Sequence, residues 1–125
     1  MADLLALEAS DVRAAEAVAL FCYQIKKCIG AFAAVLDGID QLIFSGGIGE
    51  HSAIVRARIC EGLGFAGIVI DHARNDAHEP LISAGTGSVA VRIIRTDEER
   101  MIARAMLDIT GGRSGQLDQA QQLPA

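Results

Sequence analysis

Three glycines, Gly46, Gly47 and Gly49, follow directly on a short apolar run, Gln41 to Ser45, and lead into a helical pattern that begins near His51 or Ser52. A strand that ends in glycines and turns straight into a helix is a general device for holding nucleotides. Glycine lets the backbone come within contact distance of a ligand, and a helix N-terminus offers unpaired N–H groups and a partial positive charge. The segment lacks the Gly-Lys-Ser/Thr of a P-loop, so no lysine is set to grip terminal phosphates. Its glycine spacing also departs from the dinucleotide fingerprint, and no acidic residue closes a second strand at the distance that fingerprint needs. From the residues alone two readings stay open. The backbone contacts a nucleotide, or the glycines make a tight strand-to-helix turn and bind nothing.

The elements that must hold this segment are legible on both sides of it. Ser10 or Asp11 can cap a helix running to about Leu36, with Val18, Phe21, Cys22, Ile25, Ile29, Phe32 and Leu36 as one apolar stripe at three- and four-residue spacing. Gly30, inside it, costs about 1 kcal/mol relative to alanine, so another backbone is expected to pass close there. Gln41 to Ser45 reads as a buried strand. After the glycines, Val55, Ile59 and Leu63 give the next helix a core face, with Arg56, Arg58 and Glu61 off it. Further strands are expected at Ile68 to Asp71 and Ser88 to Ile94, a brief extended piece at Leu81 to Ser83, and a tight turn at Gly85 to Gly87. His72 to Pro80 reads as a polar loop whose two histidines, His72 and His78, are solvated. Thr96 and Glu99 form a capping box for a helix lined by Ile102, Met106 and Ile109. Helices alternate with strands, so the class is α/β. Residues 1–110 read as one domain, and the Gly-, Ser- and Gln-rich residues 111–125 as a disordered tail.

Bulk properties narrow the function classes. A chain of 125 residues carries one domain with a core of its own. Its 51% hydrophobic content and mean hydropathy of +0.33 are high for such a chain. Yet no continuous apolar run approaches the roughly 18 residues that span a bilayer, because Gln24, Lys26 and Lys27 interrupt the best candidate. The apolar excess is therefore core, or surface meant to be covered by a partner or a further domain. A net charge of −5 and 4% aromatic content supply neither a basic stripe nor a stacking platform, which argues against nucleic acid. Cys22, Cys28 and Cys60, odd in number and without CxxC spacing, read as small buried residues in a reducing compartment. No secretory pattern follows Met1, and the cytoplasm is the expected location.

Phe44-Ser45-Gly46-Gly47-Ile48-Gly49-Glu50-His51 resembles the Phe-Thr-Gly-Gly-Ile-Gly-Glu-Asn signature of acetate kinases. Other stretches agree with that family in the same order. They are Phe21 to Ile25 with Ile29-Gly30-Ala31; Val55-Arg56; Leu63-Gly64; Gly67-Ile68 to Asp71 and Asn75; Ile82-Ser83; Ser88-Val89; and Thr96-Asp97-Glu98-Glu99 with Ile102-Ala103. The resemblance covers roughly residues 10 to 108. It implies part of an actin-like ATPase fold, as in sugar kinases and Hsp70, with a short mixed sheet and flanking helices. It also implies that Gly47, Ile48, Gly49, Glu50 and His51 line the adenosine pocket for ATP or ADP, and that Glu98 contacts Mg²⁺. Carboxylate oxygen suits that hard cation. The reading of Glu98 without the resemblance is an acid favoured by a helix N-terminus.

The sequence departs from the family pattern where His51 stands for Asn, Asp97 for Asn and Arg95 for Pro. The phosphate-binding loop, another Mg²⁺ contact, the acyl pocket and the residues that stabilise the transferring phosphoryl group belong to the family's N-terminal part, which has no counterpart here. Phosphoryl transfer rests on positioning and charge stabilisation, so this chain is expected to be inactive alone. The intact enzyme would transfer the γ-phosphate of ATP to acetate, giving acetyl phosphate and ADP, with propionate or butyrate as alternative acceptors. The resemblance further implies a homodimer through this region. The competing reading is a non-catalytic interaction module in which the long apolar helix mediates association and the glycine turn binds nothing.

Overall fold

A computed structural model of the chain describes residues 1–97, 100–107 and 109. They fall into two units, divided between Arg95 and Thr96. The first runs α1 (Ala2–Leu7), α2 (Val12–Val35), β1 (Gln41–Phe44), α3 (Gly46–His51), α4 (Ala53–Cys60), a 3₁₀ turn (Gly64–Ala66), α5 (His72–Asp76) and β2 (Ala90–Ile93).

Helix α2 starts where Asp11 takes the backbone N–H of Arg13 through Oδ1 at 2.9 Å. It ends at Asp37 and Gly38, whose φ values of 57° and 109° turn the chain away, with the Gly38 N–H donating to the Ala33 carbonyl at 2.8 Å. The expected stripe is buried only over its first half. Ala14, Val18 and Cys22 face the core, while Phe32 and Leu36 are both 65% exposed. Over its 24 residues α2 is long and apolar enough to cross a membrane by length and composition, a test that core helices also pass. Gly30 has no backbone near it: a Cβ there would meet nothing within 4 Å. Among the described residues the expected close approach is not made, so α2 bears the helical cost of that glycine on an open side.

Strand β1 lies parallel to β2 in the register Gln41–Ala90, Leu42–Val91, Ile43–Arg92 and Phe44–Ile93. Leu81 and Arg92 form an antiparallel bridge on the far side of β2, so the small sheet is mixed in direction. Among the described residues β1 pairs only with β2. It is half-buried rather than sunk in the core as expected: Phe44 is buried, while Gln41 and Ile43 are exposed. The core gathers Val18, Cys22, Phe44, Val55, Ile59, Leu63, Ile82 and Val91.

Three expectations change here. Residues 68–71 make a single bridge, Ile70 to Ser83, instead of a strand. Residues 72–76 are helical, because Asp71 caps them by accepting the Arg74 N–H at 3.0 Å. Helix α1, unforeseen, is tied to α4 by Glu8, whose carboxylate receives both Nη groups of Arg58. That pairing holds the Glu8 carboxyl below its ordinary range and raises the Arg58 guanidinium.

The second unit is helical over residues 100–107. Asp97 supplies a side-chain acceptor for its first turn, taking the Arg100 N–H at 3.0 Å. Glu99, the other half of the expected capping box, lies outside the described residues, as does the whole tail 111–125. Ile102, Met106 and Ile109, the expected packed face, are exposed.

Candidate functional site

The glycine segment is itself a helix. Ser45 is extended, Gly46 has φ of 73°, and α3 then carries Gly46 to His51 in a single tight coil. Six residues are too few to hold a helix in water unaided, so its shape is imposed from outside. At its start the Glu50 carboxylate folds back and takes the Gly46 N–H at 2.8 Å through Oε1. A negative charge at that end suits the helix dipole. It also puts Glu50 to local structural use.

Gly49 packs against the end of β1. A Cβ there would sit 3.3 Å from the Phe44 carbonyl carbon, tighter than ordinary contact. At Gly47 a Cβ would meet nothing within 4 Å. The two glycines thus differ: Gly49 lets strand and helix meet, and Gly47 leaves open space above the backbone.

That space belongs to a cleft of about 1090 Å³ between α2 and the β1–α3 connection. Gly47, Ile48 and Gly49 line one end, and Phe21, Ile25, Ile29, Leu42 and Ile59 supply an apolar wall. Glu50 and His51 are not among its lining residues. The structure therefore brings Gly47, Ile48 and Gly49 together on the cleft and leaves the other two at its margin. Glu98 lies outside the described residues. An apolar slot ending in bare backbone can receive a flat ring system. Among the described residues no group of three His, Cys, Asp or Glu side chains could hold a metal.

His51 is exposed, and its Nδ1 stands 2.9 Å from the Gly47 carbonyl. A carbonyl oxygen only accepts, so Nδ1 carries the proton and Nε2 of the neutral ring is left as an acceptor.

Behind the segment lies a set of residues that periodicity did not single out. Arg56, expected off the core face, is fully buried, and Asn75 beside it is fully buried too. The Arg56 Nη1 donates to the carbonyls of Gly49 and Glu50 at 2.9 and 3.1 Å. Its Nε reaches Asn75 Oδ1 at 2.7 Å and its Nη2 the Asn75 carbonyl at 2.9 Å. His78, expected to be solvated, is exposed on one side but places Nδ1 within 3.2 Å of Arg56 Nη2 and 3.1 Å of the Glu50 carbonyl. Burial lowers the Arg56 guanidinium below its ordinary range. A hint in the sequence was Arg56 following Val55 directly in an apolar helix turn, where an unpaired charge would be costly.

The cysteines split. Cys22 and Cys60 are buried, but Cys28 is exposed and lines the cleft, against the expectation that all three are interior. Burial pushes the Cys60 thiol up to about 12.

Residues 3–104 match the model of the acetokinase family. The chain is 46% identical over 107 residues to an acetate kinase of Coprothermobacter proteolyticus, covering 85% of this chain and 27% of that protein. It is 43% identical over 104 residues to a propionate kinase of Citrobacter rodentium, covering 83% and 26%. The crystal structure of Porphyromonas gingivalis acetate kinase superposes with a TM-score of 0.72 at 37% identity, over 84% of this chain and 27% of that one. The chain thus spans about a quarter of the length of the relatives it matches. Its helices and small mixed sheet are a piece of the actin-like ATPase fold of those kinases.

Proposed function

The chain belongs to the acetokinase family, and from that premise we propose that it supplies the adenosine-binding side of an acetate kinase. The intact enzyme would move the γ-phosphate of ATP to acetate, giving acetyl phosphate and ADP. A propionate kinase among the relatives keeps propionate open as acceptor.

The observation that carries the reading is the bare backbone of Gly47, Ile48 and Gly49 at the end of an apolar cleft. Adenine is flat and largely apolar on its faces, and such a slot suits it. Gly47 admits the nucleotide to backbone contact, Ile48 adds an apolar surface, and Gly49 keeps α3 against β1. At the margin His51 offers Nε2 to the exocyclic amine of adenine, where Asn would use its carbonyl. Glu50 acts by holding the Gly46 N–H. Mg²⁺ would neutralise phosphate charge in the complete site, and Glu98 is the carboxylate proposed to contact it.

Catalysis needs groups that this stretch does not offer, so the chain alone is proposed to form no acetyl phosphate. The cytoplasm, where ATP and a small carboxylate meet, is the proposed location, and a homodimer through this region the proposed assembly. One observation favours a second reading, an interaction module without a ligand. Leu20, Phe32, Val35 and Leu36 stand 57%, 65%, 81% and 65% exposed along α2. Calorimetric titration with ADP, with and without Mg²⁺, separates the two: heat of binding supports the nucleotide site, and its absence at millimolar ADP leaves the interaction module.

A further inference from the structure

The buried guanidinium of Arg56 has no part in the contacts just assigned. Taking a full positive charge out of water is expensive, and its hydrogen-bond partners are carbonyl oxygens and an imidazole rather than a carboxylate. An apolar side chain of similar shape would pack there at less cost. What only a planar fork can do is reach several acceptors at once in fixed directions. Two of these acceptors are the Gly49 and Glu50 carbonyls, at the end of α3. The others belong to Asn75, whose Nδ2 in turn donates to the Ala53 carbonyl at 2.9 Å and so ties the fork to the first turn of α4.

We propose that Arg56 is a positioning residue for the nucleotide site, its guanidinium pinning the last turn of α3 so that Gly47, Gly49 and His51 face the ligand in one fixed arrangement. The inference rests on the nucleotide reading above. Glu50 holds the start of the six-residue helix and Arg56 holds its end. A segment this short, with three glycines, would otherwise sample many backbone states and lose affinity to ordering entropy. Asn75 orients the fork, and His78 closes its outer side.

Arg56→Met keeps the stem and removes every donor; Arg56→Lys keeps the charge but not the fork. Each variant is made in the full chain. Its folding is checked by thermal melting, its backbone by amide hydrogen exchange over Gly46–Ser52, and its affinity by titration with ADP. The expected result is a folded Arg56→Met chain with faster exchange across α3 and ADP affinity reduced by about tenfold or more, Arg56→Lys falling between. A folded Arg56→Met chain that binds ADP as the unaltered chain does, with α3 exchange unchanged, overturns the proposal while leaving the nucleotide site intact. Failure of the unaltered chain to bind ADP removes the nucleotide reading and this inference with it. Should Arg56→Met not fold, His78→Ala tests the same fork from an exposed side chain. Faster α3 exchange and weaker ADP binding support the proposal, and no change in either overturns it.

Discussion

At the scale of single residues the glycines divide the labour between shape and access. Gly46, at φ of 73°, is in a backbone region that alanine enters at a cost of about 1–2 kcal/mol, so Gly46→Ala is expected to lower the melting temperature. Gly47→Ala adds a methyl group to open space within a helix, so the melt is expected not to fall while ADP affinity drops. His51, as an acceptor, is expected to favour ADP over the inosine analogue, whose ring carries a carbonyl in place of the amine; equal affinity for both would remove His51 from base recognition. Cys28 is expected to react with a thiol reagent at pH 8 in the folded chain. Cys60, pushed to about 12 and buried, reacts only after unfolding. The glycine cluster was visible in the sequence because its residue types are rare in that spacing. Arg56 was not: a charge beside an apolar stripe normally marks the solvent side. Only the three-dimensional convergence of Gly49, Glu50, Asn75 and His78 gives it partners.

At the scale of elements, α2, β1, α4 and β2 follow from caps and periodicity; the structure keeps the bounds of α2, β1 and β2 within a residue or two and ends α4 at Cys60, three residues short of Leu63. Asp11 and Ser52 cap α2 and α4 with side-chain oxygens, which is local chemistry and therefore readable. Residues 68–71 looked like a strand because they are apolar. Only Ile68 is buried, the other three are half-buried, and a single bridge to Ser83 replaces a ladder, a choice made by tertiary packing. The depth of β1 was misjudged for a related reason: an apolar run does not say whether a second neighbouring strand exists. Helix α1 is tied down by Glu8 reaching Arg58, fifty positions away, and by Met1 and Leu5 packing on the core, contacts that no local pattern encodes. It makes a pH prediction. The Glu8 carboxyl is depressed in the folded chain, so the stability from this pair is present above the ordinary value of 4.5 and is lost as pH falls through the folded value. Glu8→Gln is expected to lower the denaturation midpoint at pH 7, with the difference from the unaltered chain shrinking at pH 3. A constant difference would contradict the assignment.

At the scale of the whole molecule the dominant fact is incompleteness relative to its family. The chain covers 27% of an acetate kinase to which it is 46% identical, and it leaves apolar side chains of α2 and one edge of β1 without strand or helix cover among the described residues. The high hydrophobic fraction was legible in the sequence only as core or as surface meant to be covered, and the exposed apolar residues of α2 put part of it on the surface. We expect the isolated chain to form no acetyl phosphate from ATP and acetate. Adding a polypeptide that corresponds to the relatives' remaining length is expected to restore activity, and restoration should be weaker for Gly47→Ala. The central claim is that the Gly47–His51 backbone meets a nucleotide, and amide NMR spectra of the chain during addition of ADP test it most directly. The expected result is a saturable shift of the Gly46 to Ser52 amides, reduced in Gly47→Ala. Amides in that segment that stay fixed at millimolar ADP, or saturable shifts confined to other parts of the chain, would contradict it.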